Sequence, residues 1–371
     1  MTKRVIVIHS PHSGRSEKLT EAMTHLEQTG VEVVHTISIA DLDDLPAQGS
    51  IWKESGIEVA IAAGGDGLVG GVITHIADSG LPLGILPLGT SNDIARSLHI
   101  PQDLQAAARV IAQGKEQGVD VGVAQPAEQA PHLATEHPSG PLLEQGAPHT
   151  YGYFAHALTV GVNVQFARIA TNVATRQRFG RMTYAVAGLK TVVSHDALDI
   201  QLEFEGLAMP QATPHVPTSP AALELHTSLR CRALQVAVIN TPLFGGQREL
   251  AIPGSSFADR LLDIVVMEQM DVGTLGKSIA HLYGPTGQVE TPVSNGEKRT
   301  FAHHPAELSG IPGFHHVQAA GVTIMTSADP REATLDGEVR GQTPMYVHVA
   351  DEQLRVKVPD QEAPSPGEVL H

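Results

Sequence analysis

A chain of 371 residues can hold two or three domains and bury a sizeable core. Its 42% hydrophobic and 17% charged content, with 36 Gly and 25 Pro, describes a turn-rich globular protein and excludes a disordered polyelectrolyte or a coiled coil. Against 24 Lys and Arg stand 40 Asp and Glu, a formal charge of −16, the wrong sign for a general nucleic-acid binder; the lone Cys231 excludes an internal disulfide and a multi-thiolate zinc site, and fits a reducing compartment.

Residues 1–122 alternate between two periods. Short apolar runs at 5–8, 31–34, 59–62 and 83–86 read as strands. Residues 16–28 place Leu19, Ala22, Met23 and Leu26 at helical spacing, with Gly30 as a stop, and 68–77 and 104–112 behave alike. Strand–helix alternation with continuous apolar strands predicts a parallel sheet covered on both faces. The run at 5–8 is too short for a signal peptide, and no stretch approaches the roughly 18 apolar residues of a membrane-spanning helix, so a cytoplasmic protein is expected.

Residues 123–150 are Pro-rich and read as a linker or insertion; 209–220 is a second such patch and 359–371 a frayed tail. Strand-like runs then recur at 158–164, 198–204, 234–239, 262–267, 322–325, 345–349 and 354–358. Helical stretches at 165–195 and 272–283 interrupt them, and a mostly antiparallel, sandwich-like β domain over 151–358 is the expectation.

Gly64-Gly65-Asp66-Gly67 stands directly after a strand and before a helix. Glycines there let backbone N–H groups approach phosphates, and the helix start adds a positive dipole end. An aspartate in such a turn repels phosphate unless a metal or a fixed partner holds it, which points to a Mg²⁺-nucleotide site. A second turn, Leu88-Gly89-Thr90-Ser91-Asn92-Asp93, follows the next strand. Parallel strands end on one edge, so both turns face one crevice, where Thr90 and Asn92 can donate to phosphate or ribose. Asp93 and Arg96 can pair across a helical turn. Ser10-Pro11-His12-Ser13-Gly14 ends the first strand on the same edge, with Lys18 a helical turn beyond.

With Asp336-Gly337-Glu338 near the C-terminus, these stretches resemble the diacylglycerol kinase catalytic family of lipid kinases, which also holds sphingosine kinases. The resemblance covers 4–122 well and continues to about 358 outside the linkers. It implies a Rossmann-like α/β ATP-binding domain over 1–122, a lipid-substrate β domain over 151–358, and a cleft between them. ATP and Mg²⁺ are the implied cofactors. Ser10, Pro11, His12, Ser13, Gly14, Gly64, Gly65, Asp66, Gly67, Leu68, Thr90 and Asn92 resemble the ATP-cradling positions, with Thr36 at the second strand's end. Lys18, Asp93, Arg96 and Asp120 resemble a supporting network, Asp120 joining Asp66 and Asp93 around water and metal. Residues 253–263 resemble a structural Mg²⁺ segment, with Asp259 as side-chain ligand and backbone oxygens of Ser256 and Leu261. Glu338 resembles the general base, with Asp336 beside it; the division of roles between the two stays open. The implied partner is a lipid at the inner membrane face, met peripherally, and a homodimer stays open.

The chain departs from the family at four places: Ser10 replaces the loop's leading Asn, Leu68 a Thr, Gly70-Gly71 an Asn-Glu pair, and Arg260 a Gly in the metal segment. Gly276-Lys277-Ser278 lacks Walker spacing. The pairs His303-His304 and His315-His316 read as exposed polar residues. Residues 145–195 hold no acid but carry Arg168, Arg176, Arg178, Arg181 and Lys190, a cationic island that suits anionic headgroups or a solvated helix face. Two rivals stay open: a catalytically weak nucleotide- or lipid-binding relic, and a soluble-metabolite kinase resembling NAD kinase or phosphofructokinase.

Overall fold

The computed structural model describes residues 2–10, 16–42, 45–130, 150–162, 197–208, 228–244, 250–251, 254–269, 289–292, 298–301, 314–327 and 329–360. The chain divides into two compact units, one of 1–121, 243–249 and 351–371, the other of 122–242 and 250–350.

In the first unit, β1 (Arg4–His9), β2 (Glu32–Ser38), β3 (Val59–Gly64) and β4 (Leu83–Pro87) lie parallel in the order β2-β1-β3-β4. Their apolar runs are continuous because both faces are covered: every residue of β3 and β4 is buried. Helices α1 (Ser16–Gln28), α2 (Gly49–Glu54), α3 (Asp66–Ile76), α4 (Asp93–Ser97) and α5 (Leu104–Gln113) connect the strands, α1 packing beside α5 and α2 beside α3. Helix α1 buries Ala22 and Leu26 at the expected spacing and ends through Gly30, at φ +80°. At α5, the Asp103 carboxylate accepts the Ala106 N–H at 2.8 Å, satisfying an amide that the helix start leaves without a partner.

Two more strands complete this sheet. Strand β5 (Lys115–Val119) lies at its edge, and Leu354–Val358 enters between β4 and β5, parallel to the first and antiparallel to the second. The segment 354–358 is the expected strand in an unexpected sheet, since alternation specifies a strand but not its neighbour. The sequence boundary shifts at the other end too: β6 (Gly122–Pro126) belongs to the second unit and not to a linker.

The second unit continues with β7 (Gly152–Phe154), β8 (Ala157–Gly161), β9 (Leu198–Ala208), β10 (Ser228–Ile239), β11 (Leu262–Glu268), β12 (Phe314–Thr326), β13 (Glu332–Leu335), β14 (Glu338–Gln342) and β15 (Met345–Val349). The order is β14-β13-β8-β10-β11-β12-β15-β6-β7, with β9 pairing both β10 and β12, and all these pairings are antiparallel. Strands β9 to β12 therefore close on themselves. Period-two positions fill the interior: Leu198, Ile200 and Leu202 on β9, Val236 and Val238 on β10, Ile264 and Val266 on β11. The helices expected over 165–195 and 272–283, the residues 131–149 and 209–220, and the tail from 361 lie outside the described residues.

Candidate functional site

The order β2-β1-β3-β4 reverses direction at β1, and the crevice outside the carboxyl ends of strands at such a reversal is where open α/β sheets bind ligands. Three of the singled-out turns leave from that edge. Ser10 follows β1 and is half-buried; Pro11, His12, Ser13 and Gly14 lie outside the described residues. Gly65 precedes α3, whose first residue is Asp66. Gly89 follows β4, and the Leu88 N–H reaches the Gly64 carbonyl at 3.1 Å.

The second and third turns touch backbone to backbone. A Cβ on Gly89 would lie 2.5 Å from Gly65 Cα, and one on Gly65 would lie 3.2 Å from Gly89 Cα. One on Gly64 would run into the Leu68 side chain, which folds over it. Glycine is needed here for closeness, and the residual amides of the α3 start face the crevice that these turns shape. Asp66 Oδ1 accepts the Ile94 N–H at 2.9 Å, so this aspartate also fastens the start of α3 to α4. Asn92 sits at φ +51° and its amide nitrogen donates to Pro87 O (3.3 Å), Gly89 O (3.2 Å) and Gln102 Oε1 (2.9 Å). Its side-chain N–H groups thus go to the turn and to Gln102, which gives this asparagine a role in shaping the loop.

The remaining positions of this unit are spread around the same sheet. Thr90 and Lys18 are exposed, and Thr36 is exposed on β2 opposite Val7. Asp93 is buried and meets Arg96 at 3.4 Å, as the spacing predicts. Asp120 is buried, accepting from the Gln353 amide at 2.9 Å. Among the described residues no three His, Cys, Asp or Glu side chains converge as a metal-holding group. A carboxylate has about four acceptor positions, so the one N–H on Asp66 leaves it able to accept a water bound to a metal. The donors fit a hydrated Mg²⁺ arriving on nucleotide phosphates better than a resident ion.

In the second unit, Asp336 and Gly337 are the two central residues of the β13–β14 hairpin, at φ +48° and +89°, and Leu335 pairs with Glu338. Two positive φ values across a two-residue loop define the hairpin turn for which Asp-Gly is a preferred sequence. The two acids of the motif consequently part company. The Asp336 carboxylate turns inward, accepting the N–H groups of Ala155 (3.0 Å), His156 (2.9 Å) and Ala157 (3.0 Å). Burial pushes its pKa up, opposed by nearby His156 and by those three N–H groups. Glu338 begins the next strand with its side chain 54% exposed, ion-paired with Arg340 on the same face.

The metal-like segment keeps its turns. Ser256 Oγ accepts the Ala258 N–H at 3.1 Å and Asp259 Oδ1 accepts the Leu261 N–H at 3.0 Å. Arg260 adopts φ +63°, the left-handed conformation that explains the family's glycine there. Asp263 is buried and meets His316 at 2.7 Å, while His315 meets Glu268 at 2.9 Å. His316, only 12% exposed, is therefore a hydrogen-bond partner of Asp263 and not the exposed histidine expected from its polarity. His303-His304, Gly276-Lys277-Ser278 and the cationic island lie outside the described residues.

Sequence reading passed over Asn240, which is buried where β10 ends, and the buried hydroxyl pair Thr159–Thr334 at 2.6 Å. An asparagine directly after the apolar run 234–239 is the signal that marks the first.

Two family models match the chain. The diacylglycerol kinase catalytic domain matches residues 4–124, and the YegS C-terminal NAD kinase beta sandwich-like domain matches 156–292. A diacylglycerol kinase of Staphylococcus aureus (strain bovine RF122 / ET3-1) is 23% identical over 93% of this chain and 89% of its own length. That of strain MRSA252 is 35% identical over 33% of this chain and 40% of its own. A solved diacylglycerol kinase structure from Bacillus anthracis str. Sterne shares the fold, with a TM-score of 0.56 at 18% identity, covering 96% of this chain and 97% of that one.

Proposed function

The chain belongs to the diacylglycerol kinase catalytic-domain family, and on that premise we propose that it transfers the γ-phosphoryl group of ATP to the hydroxyl of diacylglycerol, giving phosphatidic acid. The observation that carries this reading is the parting of the two motif acids. Asp336 gives both oxygens to three amides, whereas Glu338 stands on the strand beyond the turn, 54% exposed, with one carboxylate oxygen on Arg340 and the other in reach of solvent.

The first unit supplies the nucleotide site. Glycine turns after β3 and β4 present backbone, and the α3 start adds its amides to the phosphates. Mg²⁺ bound with the nucleotide offsets the charge that develops on the transferring group. Asp66, which holds α4 in place, is the residue that would accept a water of such a nucleotide-bound metal. In this reading Glu338 takes the proton of the acceptor hydroxyl as its oxygen bonds to the γ-phosphorus and the bond to the β-phosphate bridging oxygen breaks, releasing ADP. Among the described residues no helix is long and apolar enough to cross a membrane, so the lipid is met by peripheral contact in this reading.

The test is transfer from γ-labelled ATP with Mg²⁺ to lipids in mixed micelles, beside NAD⁺ and fructose 6-phosphate, with Glu338→Ala in parallel. Labelled phosphatidic acid that disappears in the variant is the expected result. Label on NAD⁺ or the sugar overturns the lipid acceptor, and ATP binding without transfer to any acceptor indicates a relic.

A further inference from the structure

The bend at 155–157, which joins β7 to β8, has every backbone polar group taken, and among the described residues Asp336 and Asn240 take them. Asp336 accepts all three N–H groups, Ala155 on Oδ2, His156 and Ala157 on Oδ1. It also donates its own N–H to the Ala157 carbonyl at 2.9 Å. From the other side, the Asn240 N–H donates to the His156 carbonyl at 3.0 Å, and its amide nitrogen to the Ala155 carbonyl at 3.2 Å. Asn240 is 1% exposed, so these bonds stand where water does not compete. Asp336 does this from a left-handed backbone position, one residue before Gly337 and two before Glu338.

We propose that Asp336 and Asn240 form a clamp whose task is to fix the hairpin tip against the 155–157 bend, so that both are positioning residues for Glu338. The proposal rests on the kinase reading for its catalytic half and on geometry alone for the clamp. Three of the about four acceptor positions of the Asp336 carboxylate are taken by amides of the bend, so its orientation is set by them and not by an incoming hydroxyl. Its bonds instead remove the freedom of the tip to rock about a two-residue turn. A displacement of about 1 Å at a reacting group costs roughly a hundredfold in rate, so the clamp is expected to act on turnover and not on nucleotide affinity.

The experiment compares Asp336→Asn, Asn240→Ser, Glu338→Gln and the parent protein by amide hydrogen exchange, by kcat and KM for ATP, and by the pH profile of kcat. Asn at 336 keeps Oδ1 for His156 and Ala157 and loses the acceptor for Ala155, which makes it the mild variant. Asn240→Ser loosens the same bend from its carbonyl side and serves if the first variant folds poorly. Faster exchange of the amides of 155–157 in both, with kcat lowered about tenfold to a hundredfold, KM for ATP unchanged and the acidic limb of the profile retained, is the expected outcome. Exchange as slow as in the parent removes the clamp. An acidic limb abolished by Asp336→Asn as it is by Glu338→Gln makes Asp336 the base and overturns the proposal. If the parent itself transfers no phosphoryl group, the kinase reading fails while the exchange data still decide the clamp.

Discussion

At the strand ends of the first unit, Gly65 and Gly89 are required because a side chain on either would be driven into the other turn; at the hairpin tip of the second, Gly337 has open space on all sides and is required for its backbone angle. The aspartates beside them differ in the same manner. Asp66 gives one oxygen to a single amide of α4, and Asp336 gives both to three amides of one bend. A Gly-Asp or Asp-Gly pair therefore names no task by itself. Sterics decide at one edge, and torsion and amide saturation decide at the other.

That contrast can be broken most forcefully at Glu338. Replacing it with Gln is expected to lower transfer about 10²–10⁴-fold, while unfolding free energy moves by no more than about 0.5 kcal/mol because the side chain is largely in solvent. A stability loss of several kcal/mol in denaturant titration would return Glu338 to the scaffold.

Gly89→Ala comes next. Its Cβ would meet backbone at 2.5 Å, and overpacking of that kind costs about 1–3 kcal/mol, readable as a lowered urea midpoint with unchanged slope. At Gly337 the cost arises from φ +89° alone, so Ala is expected to cost about 1 kcal/mol and Asn less, since Asn tolerates the left-handed region. Equal losses for Ala and Asn at 337 would mean that space, not torsion, governs the tip as well.

The smallest effect is one of sign. Glu116 of the first unit bonds Lys357 at 2.9 Å, and that bond holds its carboxyl below the usual range. Its contribution is present above the unfolded value of about 4.3 and is lost as pH falls through the folded one. At a site this exposed it amounts to less than about 1 kcal/mol. Asp336 has the opposite shift, raised by burial, so what it contributes is fully present below about 3.9 and is lost as pH rises through its folded value. Stability curves across acidic pH should therefore show the deficit of Glu116→Gln growing with pH and that of Asp336→Asn shrinking.

Much of the first unit was legible from residues alone. Four apolar runs, the spacing of Leu19, Ala22, Met23 and Leu26, and a stop at Gly30 correspond to β1–β4 and α1, because each depends on its own neighbours in sequence. The same logic explains what was missed. Residues 354–358 look like a strand anywhere, and their place between β4 and β5 is set by long-range pairing that no period records. The pair β13–β14 was unseen because Glu338 to Gln342 carry one apolar residue, although Asp-Gly between them is a hairpin signal. The roles of Asp336 and Glu338 were indivisible in sequence; two positions apart, only the amides of 155–157 separate them.

The intruding strand 354–358 has a consequence for how the molecule is made. Among the described residues β5 has it as sole neighbour, so the nascent chain can complete everything up to residue 350 while its first sheet still shows an unfilled slot beside β4. The N-terminal unit, first to leave the ribosome, is then among the last to finish, and a stop codon near residue 350 would damage the beginning of the protein more than its end.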